Sequence, residues 1–149
     1  MPNAQLLRLD PVATPALAAP GVQVAPQDAR LIARLRRWAD AAQLAPALDL
    51  DRACAMIGAP RTGEQDPDHD GRLLMSALST AAERRLVLHP MGAALASADE
   101  LLLLRLLERL QAGDGASARF LVARRVGRRD RRAVLFLSAR LAASLSAAA

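Results

Sequence analysis

The sequence predicts a mainly α fold, a small helical domain with a C-terminal three-helix unit and at most a short two-stranded β element. Three observations carry that expectation. The chain is 52% hydrophobic but only 2% aromatic, with Ala and Leu supplying most of the apolar content; Ala, Leu and Arg enter helices at little cost, whereas strand-favouring residues are scarce. Apolar residues recur at three- and four-residue spacing from position 28 onward. Capping residues stand in front of several of these runs, most clearly Ser97 with Glu100. A length of 149 residues suits one domain.

Residues 1–27 read as an irregular arm, because Pro2, Pro11, Pro15, Pro20 and Pro26 remove backbone donors too often for a continuous helix. Val22 and Val24 offer a short strand within it. Residues 28–149 then form one helical domain. Asp28 is placed to cap a first helix in which Leu31, Leu35, Trp38 and Ala42 share a stripe, broadened by Ile32 and Ala39, with Arg30, Arg34 and Arg37 on the other side. Pro46 interrupts it, and a short helix over 47–57 turns Leu50, Ala53, Cys54 and Ile57 inward before Gly58 and Pro60. Residues 61–70 read as an acidic loop. A third helix starts near Asp70 or Gly71 and runs to about Arg85, burying Leu74, Leu78 and Ala81 or Ala82. Leu86, Val87 and Leu88 form an extended segment, with residues 22–24 as its available pairing partner.

The three-helix unit spans 97–146. Ser97 and Glu100 make a capping box, in which the hydroxyl accepts from the backbone three residues on and the carboxylate reaches back. The helix it opens closes at Gly113 and is apolar over far more than a third of its circumference. Such a helix is either central in the fold or half of an interface between copies, which would place Leu101, Leu102 and Leu104 in that interface. Asp114 starts the next helix, running through Ser117, Phe120, Leu121 and Val126 to Gly127. Asp130 caps the last, with Val134, Leu137, Leu141 and Leu145 inward and Leu135 and Phe136 beside them. Connections of two to four residues imply antiparallel neighbours.

Charge is unevenly placed. Every one of the 20 basic residues is Arg, and residues 115–149 hold eight of them against the single acid Asp130, while 61–114 are net acidic. An anionic partner should therefore meet the last quarter of the chain. Within it Arg124, Arg125, Arg128, Arg129, Arg131 and Arg132 fall inside nine residues that span a helix end, a turn and the next helix start. That arrangement suits a helix-turn-helix facing DNA. A solvated face fits it better, and a docking site for an acidic protein, such as the acidic middle of a second copy, comes ahead of nucleic acid.

The string DPDHDGRL places Asp66, Asp68 and Asp70 at alternating positions before Gly71 and Leu73, as in the first half of a calcium loop. The twelfth position is Ala77 rather than the bidentate Glu such a loop needs, and the alternative is a solvated turn with one Asp capping the next helix. His69 and His89 have no helical i,i+4 partner, Cys54 lies on an apolar stripe, and no nucleophile elbow or glycine-rich phosphate loop occurs. No residue is nominated for catalysis and no cofactor is implied. One cysteine excludes a disulfide framework, and neither a secretory signal nor a membrane span is legible. The expected function is that of a small cytoplasmic, non-enzymatic interaction or regulatory protein, self-associating through helix 98–112. The alternative is a nucleic-acid-binding regulator using Arg124 to Arg132.

Overall fold

Proline sets where the first two long helices begin. The computed structural model describes residues 21–44, 54–55 and 65–149. Among them five helices are laid down: α1 (Pro26–Leu44), α2 (Pro67–Ala81), α3 (Ala98–Gln111), α4 (Gly115–Ala123) and α5 (Arg131–Ala147). Helix α1 starts at Pro26, so Asp28 stands inside its first turn and does not cap it. Helix α2 starts at Pro67, three residues ahead of the expected start, with the Asp66 side chain accepting from the backbone N–H groups of Asp68 and His69. The physical reason is common to both: the first helical position needs no backbone donor, and the fixed φ of proline is already helical. Residues 67–70, expected to be loop, are therefore helix. The short helix expected over 47–57 lies outside the described residues except for Cys54 and Ala55, which are helical. The arm over 1–20 and the loop over 61–64 lie outside them as well.

Helix α2 stops at Ala81, short of the expected Arg85. Ala82 is extended and forms an antiparallel bridge with Val126, and the Glu83 N–H donates to the Arg125 carbonyl at 2.8 Å. The segment 86–88 does not pair with 22–24. Val22 bridges Ala96 instead, with N–H to carbonyl distances of 2.9 Å in both directions, so the β content among the described residues is two isolated bridges.

Local signals hold through the C-terminal unit. Both halves of the Ser97–Glu100 capping box form, and Gly113, at φ 76°, ends α3 in a conformation that glycine adopts without strain. The Asp114 side chain accepts from the Ser117 N–H at 3.0 Å and caps α4. Asp130 makes no side-chain capping bond, a correction to its expected role. Helix α4 ends at Ala123, so the connection to α5 is the seven-residue stretch 124–130.

Helix α5 is the hub. It packs against α2, α3 and α4, while α1 lies across α2 and α3. One main core joins Leu35 and Trp38 of α1, Leu74 of α2, Leu106 and Leu107 of α3, and Leu137 and Leu141 of α5. A smaller cluster of Ile32, Ala96 and Leu104 closes the other side of α3. The wide apolar circumference of α3 is thus covered on both flanks within one chain. Leu104, expected at an interface between copies, is 1% exposed in that inner cluster, Leu101 packs against the same cluster, and Leu102 is half-buried. Among the described residues no helix is long and apolar enough to cross a membrane.

Close approach of α1 and α2 is set by Gly71, where a Cβ would overlap the Trp38 ring. Trp38 is fixed there by its indole N–H, which donates to Asp68 Oδ1 at 2.9 Å, and the Arg34 guanidinium lies 5.0 Å from the ring centroid. Gly71→Ala should consequently lower the unfolding free energy by about 1–3 kcal/mol through overpacking, although alanine in an open helix would gain about 1 kcal/mol over glycine. Urea denaturation checks this; a midpoint equal to or above that of the wild type would contradict the contact.

Candidate functional site

The arginines of the C-terminal cluster separate into two kinds. Arg125 Nε donates to Asp99 Oδ1 at 2.6 Å, and the other Asp99 oxygen accepts from the Val87 N–H at 2.8 Å. Arg131 turns back over the end of α4, its Nε donating to the Val126 carbonyl at 2.9 Å and a terminal nitrogen to Ala123 at 3.4 Å. Free C-terminal carbonyls of a helix attract such a cation. These two side chains hold the turn 124–130 in shape. Arg124, Arg128, Arg129 and Arg132 are exposed and make no hydrogen bond or ion pair among the described residues.

The fold adds two arginines that no local pattern singled out. Because residues 82 and 83 bond to 126 and 125, the following Arg84 and Arg85 come up beside the 124–130 turn. Both are exposed and without an ion pair among the described residues. A cleft of about 390 Å³ opens between them and the start of α3, lined by Arg84, Arg85, Val87, His89, Asp99 and Arg125 among others. Nearby acids are few: Glu83 and Asp130 at the surface, and Asp99 already neutralised by Arg125. Six guanidinium groups without a hydrogen bond or ion pair among the described residues are thus carried on two stretches of chain that the 82–126 and 83–125 contacts join, with Arg85 also bordering Ala39 and Gln43 of α1.

A buried ion pair positions this surface. Glu100, at the first turn of α3, is 0% exposed, and Arg36 of α1 is 6% exposed. Arg36 donates to both Glu100 oxygens, at 2.7 and 3.0 Å, and to the carbonyls of Ala93 and Leu95 at 3.0 and 3.1 Å. Glu100 also accepts from the backbone N–H of Ser97 at 2.9 Å and of His89 at 2.8 Å. Burial alone would push the Glu100 carboxyl up, but the hydrogen bonds from Arg36, Ser97 and His89 with the Arg36 charge hold it below its ordinary 4.5. The same hydrogen bond raises Arg36 above its ordinary value. The segment 83–97 is in this way tied to α1 at one end and α3 at the other. The sequence carried one signal for this pair: Arg36 follows Ile32 by one turn and so falls on the apolar stripe of α1.

The three carboxylates of the calcium-like string do not converge. Asp66 caps α2; exposed Asp68 accepts from Trp38 and, at 3.2 Å, from Arg34; Asp70 is buried, accepting the Ser144 hydroxyl of α5 with Arg140 Nε at 3.9 Å. Hydrogen bonds from Trp38 and then Arg34 hold the Asp68 carboxyl below its ordinary range. Helical geometry accounts for the divergence, since residues two apart on a helix point to different faces. No group of three His, Cys, Asp or Glu side chains fit to hold a metal occurs among the described residues.

His69 and Cys54 stand on other elements than His89 and Ser97 do. His89 Nδ1 lies 2.8 Å from the Leu95 carbonyl, and the Ser97 hydroxyl donates to the Val87 carbonyl at 2.5 Å while accepting from Glu100 N–H. His69 sits in the first turn of α2, and Cys54 packs partly buried against the main core. Comparison with family models, with curated proteins and with solved structures returns no match to this chain.

Removing the Glu100 carboxylate strands the Arg36 charge. Glu100→Ala should cost about 3–5 kcal/mol of unfolding free energy, the usual result of breaking one side of a buried pair. Because the folded carboxyl titrates below its unfolded value, its contribution is complete above about pH 4.3 and is lost as pH falls through the folded value. Urea midpoints of wild type and variant between pH 2 and 7 should therefore converge in acid; parallel curves would exclude the coupling.

Proposed function

We propose that this chain is a small non-enzymatic binding protein that engages nucleic acid through its basic surface. The observation that carries the reading is that the stretch with Arg84 and Arg85 is joined to the one with Arg124, Arg128, Arg129 and Arg132, all six exposed and without a hydrogen bond or ion pair among the described residues. Long guanidinium side chains held at one surface with so little acidic compensation are suited to phosphate oxygens, which they bind in bidentate fashion.

The mode of binding differs from a helix-turn-helix. That motif uses a turn of three or four residues and a second helix free to enter the major groove. Here the turn is seven residues, and α5 buries Val134, Leu137 and Leu141 against three other helices. Its first turn presents Arg132 outward, while the packed side of the helix is not free to enter a groove. Contacts to phosphate fix position and carry little sequence information, so we expect weak sequence preference. Most of the apolar residues of 98–112 are covered by α1, α4 and α5, which favours the basic surface over self-association as the binding feature.

Fluorescence anisotropy on a labelled mixed-sequence oligonucleotide tests the reading. If most of the six arginines reach phosphates, log K should fall against log salt with a slope of about −4 to −5 on duplex. Replacing Arg124, Arg128, Arg129 and Arg132 with Ala should reduce that slope to about −2 and leave the thermal midpoint unchanged. Binding and slope that survive the four substitutions would overturn it.

A further inference from the structure

The only two phenylalanines of the chain, Phe120 and Phe136, are 67% and 47% exposed. Hiding such a side chain would be worth about 1.5–3 kcal/mol, and both helices that carry them bury other, smaller residues. Each phenylalanine stands four residues from an arginine unpaired among the described residues: Phe120 from Arg124 at the C-terminal cap of α4, and Phe136 from Arg132 within α5. Residues at that spacing share a helix face. Between the two pairs lies the turn with Arg128 and Arg129, so the order along the hairpin is aromatic, cation, cations, cation, aromatic.

Phosphate binding alone gives those rings no role. A duplex keeps its bases stacked inside, and α5 is too deeply packed to carry Phe136 into a groove. A single strand presents unstacked bases whose faces lie flat on aromatic side chains, while its backbone follows the adjacent positive charge. Resting on the nucleic-acid reading above, we propose that the α4–α5 hairpin is a platform for single-stranded nucleic acid. Phe120 and Phe136 stack bases, and Arg124, Arg128, Arg129 and Arg132 hold the intervening phosphates. Asp130 is the one acid between the two rings, and it has no capping bond to occupy it. Arg128 and Arg129 just before it and Arg131 and Arg132 just after it outweigh its charge, so the turn stays net positive.

The full-length chain is titrated with labelled dT20, U20, a 20-bp duplex and an abasic 20-mer of equal charge. The wild type should bind dT20 or U20 at least ten-fold tighter than the abasic strand. Phe120→Ala and Phe136→Ala should each weaken single-strand binding by about ten-fold, with the salt slope, duplex affinity and thermal midpoint unchanged. Phe→Trp at either position should retain affinity and show fluorescence quenching by the strand; Phe→Leu should not retain it. The platform is refuted by alanine variants that bind dT20 and U20 like the wild type, by an abasic strand that binds equally well, or by leucine variants of full affinity. If binding with a steep salt slope persists in those cases, only the stacking inference fails; if no oligonucleotide binds in 50 mM salt, the nucleic-acid reading fails with it. A concentration-dependent dimer abolished by Phe→Ala, with strand binding unaltered, would assign the rings to self-contact instead.

Discussion

The rest of the structure depends on one buried ion pair, Arg36 with Glu100, which joins residues 64 apart in sequence. Taking both charges out of water is costly, and the cost is offset only where every lone pair and proton finds a partner. Here nearly all do: four of the five Arg36 N–H groups reach Glu100 and the Ala93 and Leu95 carbonyls, and the Ser97 and His89 N–H groups complete the Glu100 carboxylate. An apolar pair of equal volume could hold α1 and α3 together. It could not hold the irregular segment 83–97, whose backbone groups would lose their acceptors and donors. The ion pair therefore acts on geometry more than on net stability, fixing how a stretch with almost no regular hydrogen bonding crosses the end of the bundle.

The consequences reach the basic surface. Val87 is held by Asp99, Asp99 holds Arg125, and the Ala82–Val126 bridge lies one step further on. Two arginines are thereby used as structural members, Arg125 against a carboxylate and Arg131 against helix-terminal carbonyls. Their neighbours are left over, displayed around them. On the proposed reading, charges carried on a fixed backbone lose less entropy on meeting phosphate than the same charges on a floppy tail would. The exposed phenylalanines belong to the same economy of placement: α4 is nine residues long and anchors through Ala118 and Val122, so Phe120 is carried outside.

How much of this was legible in the sequence depends on how local the cause was. The Ser97–Glu100 box, the Asp114 cap and the Gly113 stop each involve residues within four positions, and they read correctly. The start of α2 did not, because a proline within an acidic stretch signals a loop as readily as a first helical position, and Asp66 in front of Pro67 makes it the latter. The aspartates 66, 68 and 70 misled for the same reason, since a string that alternates in an extended loop fans out on a helix. Phe120 and Phe136 were placed in the right helices, but whether a helix position faces core or solvent depends on which neighbours arrive.

By itself the sequence determined the α class, the positions of the caps and stops, and the concentration of positive charge in the final quarter. Periodicity, capping chemistry and charge counts act over one or two turns and need no partner. Only the tertiary structure decided that the leucine-rich α3 is covered within its own chain, that Glu100 is tied to Arg36, and that Arg84 and Arg85 stand beside Arg124 to Arg132. Those outcomes depend on contacts between residues tens of positions apart. Such contacts are settled by which close-packed arrangement leaves the fewest buried charges and polar groups without partners.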